Sequence, residues 1–252
     1  MRFVLFLCLA GVLVFASLVH AGPEPVLYYS FENIEGDTVI DDSGNGNDGT
    51  IVDAQESDGK EGKGLELSAN NRVAIEASDS LDPNLFQGNF TLAMWIEPTR
   101  AGNSAQQLWR SRKDDNHSTL FLFNDGTLSW RGDVNSEWTT LAESPDADPP
   151  AGEWSHIAVT GDMEKFRVYV DAEEVVNGDW LEMDGENDMY YLGWGTASAG
   201  ESYAGKYDEV AIWRETLSRK DLTDLMLSGV PDFVAVAAAG KLTITWGTLR
   251  IQ

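Results

Sequence analysis

Phe90-Thr-Leu-Ala-Met-Trp-Ile96 places Phe90, Leu92, Met94 and Ile96 on one side of an extended chain, because successive side chains of a strand point to opposite faces. Phe166-Arg-Val-Tyr-Val170 repeats the pattern with Phe166, Val168 and Val170. Working outward, the same alternation predicts strands at residues 26–31, 72–75, 108–112, 119–123, 127–130, 154–160, 189–192 and 207–213. Asn124-Asp125-Gly126 and Asn177-Gly178 supply turns between them, the first closing a hairpin of two short aromatic strands. Arg131-Gly132-Asp133 reads as a hairpin turn rather than as an adhesion tripeptide. Many short strands separated by turn residues predict an all-β, two-sheet antiparallel sandwich.

One short C-terminal helix is signalled. Ser218 can cap it and Asp221 sits in its first turn, while Leu222, Leu225 and Met226 share a face and Gly229 with Pro231 ends it. Beyond lies a tail, residues 230–252. It contains the small-residue run Val234-Ala-Val-Ala-Ala-Ala239 and the alternating Leu242-Thr-Ile-Thr-Trp246, which reads as one more strand. A loosely packed tail of this kind is expected to leave the melt nearly unchanged when residues 231–252 are deleted.

The 252 residues carry 17 Lys+Arg against 42 Asp+Glu, a formal charge of -25. Such a chain is repelled by phosphate backbones, which excludes nucleic acid as a partner. Nine Trp and 42% hydrophobic residues are enough to build a large core, so the acidity does not indicate disorder. Residues 1–21 read as a secretory signal peptide: Arg2 precedes an apolar stretch, and Val19-His-Ala21 offers small residues before a cut ahead of Gly22-Pro23. The domain then spans residues 22–229, is secreted (extracellular, cell-surface or periplasmic) and has no membrane span after cleavage. Cys8 is the single cysteine and leaves with the signal, so no disulfide staples the mature chain.

Val26-Leu-Tyr-Tyr-Ser-Phe-Glu32, Asp42-Ser-Gly-Asn-Gly-Asn-Asp-Gly49, Gly64-Leu-Glu-Leu67, the stretch at 90–98, Glu153-Trp-Ser-His-Ile-Ala-Val-Thr160, Arg167-Val-Tyr-Val-Asp171 and Tyr207-Asp-Glu-Val-Ala-Ile-Trp213 follow one another in order. Together they resemble laminin-G-like jelly-roll domains of the concanavalin A-like lectin/glucanase superfamily, over about residues 24–228. The departure is Asp171-Ala172-Glu173, where the family has Asp-Gly. The resemblance implies a jelly-roll sandwich, a bound calcium, and secreted proteins that attach to glycans or other proteins.

Calcium takes six to eight hard oxygen ligands. Asp41-Asp-Ser-Gly-Asn-Gly-Asn-Asp-Gly49 offers three Asp, two Asn and three Gly, although the same residues are also ordinary turn formers. Asp208 shares strand parity with Val210 and Ile212, so its carboxylate leans toward the core and needs compensation by a cation or several donors. Ala211 and Trp213 make the opposite face apolar too, and Asp208 could instead cap a turn. The resemblance brings the Asp42 loop and the Asp208 strand to one calcium site, with Asp42 and Asp208 as side-chain ligands, Asn47 by side chain or carbonyl, and Glu32 as a further candidate.

Catalysis is poorly supplied. Superfamily glucanases carry Glu-x-Asp-x-x-Glu, and the nearest string, Glu182-Met-Asp-Gly-Glu-Asn-Asp188, has Asn187 in place of the last Glu and reads as an acidic loop. His156 occupies a strand as a structural residue, and no Gly-x-Ser-x-Gly, His-Glu-x-x-His or phosphate loop is present. Trp130 and Trp138 flank a polar loop that could form a rim on which sugars stack. The sequence therefore predicts a non-catalytic module that binds a polysaccharide or a surface protein. The alternatives are a glycan-processing hydrolase of the same superfamily and a structural component that docks through its tail.

Overall fold

The computed structural model describes residues 22–247 except 69, 83, 100–104, 114–115, 146, 185–186 and 194–200, with backbone alone at 116 and 236–247. The expected signal peptide, residues 1–21, lies outside the described residues. In chain order the strands are β1 (Leu27–Tyr29), β2 (Ile34–Glu35), β3 (Thr38–Val39), β4 (Gly49–Val52), β5 (Gln55–Asp58), β6 (Lys63–Leu67), β7 (Arg72–Glu76), β8 (Phe90–Pro98) and β9 (Ala105–Lys113). They continue as β10 (Asn116–Phe123), β11 (Leu128–Val134), β12 (Glu137–Ser144), β13 (Ser155–Gly161), β14 (Lys165–Val170), β15 (Glu173–Asp179), β16 (Met189–Leu192) and β17 (Gly205–Trp213). A helix, α1 (Arg219–Gly247), follows.

All ladders are antiparallel, and they form two sheets packed face to face. The eight-stranded sheet runs β15-β14-β13-β8-β17-β6-β5, with β1 also paired to β17; the nine-stranded sheet runs β12-β11-β10-β9-β16-β7-β4-β3-β2. The alternating residues Phe90, Leu92, Met94 and Ile96 of β8 are fully buried in the main core between the sheets, with Leu120, Leu122, Leu128 and Trp130 among those facing them. At its centre Phe86 meets Phe90, Trp130, Trp109 and Tyr190 edge-on, at centroid distances of 4.9, 5.4, 6.2 and 6.2 Å. Edge-to-face contacts of this kind add to what burial alone contributes.

The centre of the eight-stranded sheet is buried on both faces. A second cluster joins Tyr28, Ala93, Ala158, Ala211 and Trp213 of its outer side to Leu217, Leu222, Leu225, Val230 and Phe233. This explains why Ala211 and Trp213 are apolar on the side opposite Val210 and Ile212: α1 closes over them.

Several expectations change. Arg131, Gly132 and Asp133 lie inside β11, with Gly132 and Asp133 buried, and the turn falls at Asn135-Ser136. Both turn residues have positive φ, 52° and 65°, the type I′ geometry whose twist matches a two-residue hairpin. Ala172 adopts the same geometry beside Asp171, at φ 61° and 49°, and its methyl is buried under α1 in the second cluster. The tail continues α1 as helix rather than forming a strand, in keeping with the high helix propensity of its alanines. Gly229, at φ 73°, bends the helix, and Pro231 opens the next segment, where its missing N–H is no loss. Trp130 is fully buried in the main core, so the rim reading is withdrawn for it.

Candidate functional site

Two regions carry the polar chemistry. The first is built by a break in β17. Its first half, Gly205 to Tyr207, pairs with β6, and its second half, Val210 to Ile212, pairs with β1. A bulge separates Asp208 from Ala211 in the ladder to β8, and Glu209 takes φ 49° there. The extra residue inverts the parity. Tyr207, Val210 and Ile212 therefore share the main core, whereas Asp208 is carried to the other side opposite Trp95. The core-facing placement of Asp208 is corrected accordingly.

Asp208 is nonetheless fully buried. Its Oδ2 accepts the Glu61 N–H at 2.9 Å and its Oδ1 the Glu209 N–H at 2.8 Å. Burial pushes its carboxyl up to about 7, against the downward pull of these backbone donors. Burial also raises Glu209, which accepts the Tyr28 hydroxyl at 2.6 Å and the Val230 N–H at 3.4 Å.

Glu209 lines a cavity of about 810 Å³ together with Glu24, Glu32, Asp42 and Glu61, and no Lys or Arg is among its lining residues. Asp42 reaches it from the acidic loop, its Oδ2 accepting the Ser30 hydroxyl at 2.5 Å and its Oδ1 the Asn33 amide at 2.7 Å. Glu32 accepts the Lys63 N–H at 2.6 Å. Asp41, one residue before Asp42, faces inward instead and takes the N–H groups of Tyr28, Ser43 and Asn47, which locks the loop. Asn47 uses its side chain on the Val26 carbonyl and on Ser78 and Ser80, away from this cavity. Of the four expected ligands, Asp42 and Glu32 thus share the cavity and Asp208 sits behind Glu61. Among the described residues no three carboxylates or imidazoles converge as a metal cage. Glu209 escapes sequence reading because a bulge leaves no mark on residue alternation, and Glu61 because it stands in the loop between β5 and β6.

The second region is the outer face of the nine-stranded sheet. No described helix packs against it, whereas α1 contacts β17 on the other sheet. Trp138 is 40% exposed, and its ring stacks on His117 at 4.2 Å between centroids and 24° between planes. His117 is held by Asp133, whose Oδ2 lies 2.9 Å from its Nδ1 and accepts its backbone N–H at 2.8 Å. Beside them the Arg131 guanidinium lies over Phe121 and Phe123 at 5.7 and 5.2 Å and pairs with Glu143 at 2.6 Å.

Of the glucanase-like string, Glu182 and Asp184 line one open cavity of about 570 Å³, and Glu186 lies outside the described residues. Glu182 is exposed, and Asp184 is occupied by the Asn135 and Ser136 N–H groups of the hairpin turn. His156 is buried, with its pKa lowered to about 4 by desolvation. It packs edge-on to Trp95 at 5.3 Å and keeps the expected structural role.

A laminin G family model, described as the concanavalin A-like lectin/glucanases superfamily, matches residues 67–223. The chain belongs to this superfamily. No curated protein matches the superfamily member described here. Among solved structures, domain 4 of AbnA, an extracellular GH43 arabinanase from Geobacillus stearothermophilus in complex with arabinotriose, is similar at 23% identity and TM-score 0.62. That match covers 81% of this chain and 98% of that one. The binding domain of Paraclostridial Mosquitocidal Protein 1 aligns at 18% identity and TM-score 0.65, covering 81% and 52%. A Trypanosoma rangeli sialidase aligns at 14% and 0.63, covering 81% and 33%. This superfamily member therefore spans about half the length of the toxin binding domain it matches. At these identities the likeness is one of fold.

Proposed function

We propose that the chain is an exported, non-catalytic module that binds a glycan on the outer face of its nine-stranded sheet. The observation that carries this is the asymmetry of the sandwich: α1 closes one outer sheet face, while the other presents the His117–Trp138 stack beside the Arg131–Phe121–Phe123 group. Flat rings stack on the apolar faces of sugars, and fixed polar groups beside them bond the hydroxyls. The fold shared with an arabinanase domain in complex with arabinotriose supports a glycan over a protein ligand. A glycan array followed by calorimetric titration tests the reading. Trp138→Ala should weaken the best ligand about tenfold, the equivalent of about 1.4 kcal/mol, with little change in the melt because the ring is partly exposed. Unaltered affinity would remove this face from consideration.

Calcium at the acidic cavity forms the second part of the proposal. It is supported by five carboxylates lining one cavity without a Lys or Arg, and by the upward pKa shifts of Asp208 and Glu209. A cation there would offset their mutual repulsion. At a hundredfold excess over Kd, calcium bound only by the folded chain adds about 2.7 kcal/mol. An identical melt in calcium and in EDTA would dismiss it.

A further inference from the structure

Cross-strand pairing sets Thr140, Arg131, Thr119, Arg110 and Tyr191 in one row across five strands of the nine-stranded sheet. This row faces outward, because the alternate residues Leu120, Trp130, Trp109 and Tyr190 fill the core. Successive members stand about 4.8 Å apart, the strand spacing. Arg131 is neutralised by Glu143. Arg110, two strands away, differs. It is 5% exposed, its Nε has no hydrogen-bond partner, and its side chain makes a single hydrogen bond, from Nη1 to the Gln107 amide oxygen at 3.4 Å. Among the described residues it forms no ion pair, although the chain carries 42 carboxylate side chains. Burial, and then the neighbouring Arg112, lower its pKa, against the upward pull of Glu201, Tyr191 and Asp133.

A buried cation without a counter-charge is costly unless something brings one. Glu201 and Asp133 act on it from a distance, Glu201 through the Gln107 amide that it accepts at 2.7 Å, but among the described residues no carboxylate makes a direct pair with this central guanidinium of the outer face. We propose that Arg110 is the receptor for the carboxylate of an acidic sugar, so that this face takes uronic-acid glycans. The inference rests on the glycan-binding reading of the same face. The guanidinium fork matches a planar carboxylate in two parallel hydrogen bonds, while the His117–Trp138 stack lies one row away on the same face. The net charge of -25 does not oppose this at physiological salt, because exposed charges are screened beyond about 8 Å while the Arg110 contact is direct.

The test is titration of the full chain with oligogalacturonate, with the same oligomer after reduction of its carboxyl groups, and with dextran sulfate, at pH 7 and 0.15 M salt. The unaltered chain should prefer oligogalacturonate over its reduced form by about tenfold or more. Arg110→Gln should abolish that preference, with a melting temperature equal to or above that of the unaltered chain, because an unpaired buried charge has been removed. Arg110→Lys should retain part of the preference. Equal binding of both oligomers, weakened alike by Trp138→Ala, would overturn the acidic-sugar inference and leave the glycan reading standing. Tighter binding of dextran sulfate alone would overturn the assignment to carboxylates. Binding of none of the three would sink both readings. The comparison of the two oligomers on the unaltered chain decides even if the Arg110 variants fail to fold.

Discussion

Asp208 shows how one residue's surroundings turn into a measurable property of the fold. Its folded pKa is about 7 against an ordinary value of 3.8, so the folded chain holds a proton that the unfolded chain gives up. The stability linked to it is complete below about pH 4 and is lost as pH rises through about 7. In EDTA, the stability of the wild type relative to Asp208→Asn should fall between pH 4.5 and 8 by an amount on the order of 3 kcal/mol, since most of the interval between the unfolded and folded pKa is crossed there. Denaturant melts at the two pH values measure it, and a constant difference would contradict the buried, uncompensated carboxylate. Ser136 offers a test of the opposite sign. It is exposed, holds φ 65° in the hairpin turn, and glycine relieves a left-handed conformation that costs other residues about 1 kcal/mol. Ser136→Gly should therefore stabilise by roughly that amount. Burial of Asp208 could be suspected from its place in an apolar strand, but the side on which it lies could not. One inserted residue at Glu209 reverses the faces, and nothing in Tyr207-Asp-Glu-Val-Ala-Ile-Trp213 marks the insertion.

At the level of elements, those with a buried alternating face were legible and those without one were not. β8 and β14 announce themselves through Phe90, Leu92, Met94 and Ile96 and through Phe166 and Val168, all in the core. β5, Gln-Glu-Ser-Asp at 55–58, is an edge strand with almost no apolar content, the composition that discourages pairing with other chains. Alternation gives no sign of it. The helix start at Ser218 was readable: the Ser218 hydroxyl and N–H both meet the Asp221 carboxylate. Its continuation past Gly229 was not, because Gly and Pro there mark a bend that resembles a stop. The continuation has energetic consequences. Phe233 is buried on Trp213 at 6.3 Å between centroids, and Val230 lies in the same cluster. Deleting residues 231–252 therefore uncovers part of the second core and should lower the melt, contrary to the expectation of a loose tail. Phe233→Ala alone should cost about 3 kcal/mol, read from denaturant midpoints. A loss below about 1 kcal/mol would mean that the segment does not pack.

For the whole molecule, the acidic balance is distributed by the fold. Carboxylates line the cavity at the β17 break, while Arg110, Arg112 and Arg131 gather on one sheet face through the β9–β10–β11 pairing. The jelly-roll architecture was legible because seven segments in order carry it. The grouping of these arginines was not, because Arg110 and Arg131 are 21 positions apart in the sequence and share a face only through strand register. The central claim is that this face, and not the acidic cavity or the helix, is the recognition surface. Hydrogen–deuterium exchange of the full chain, with and without a saturating oligosaccharide selected on the array, addresses it directly. Protection confined to β9, β10, β11 and β12 is the predicted result; protection confined to α1 and the loop at 41–49, with those four strands unchanged, would contradict it.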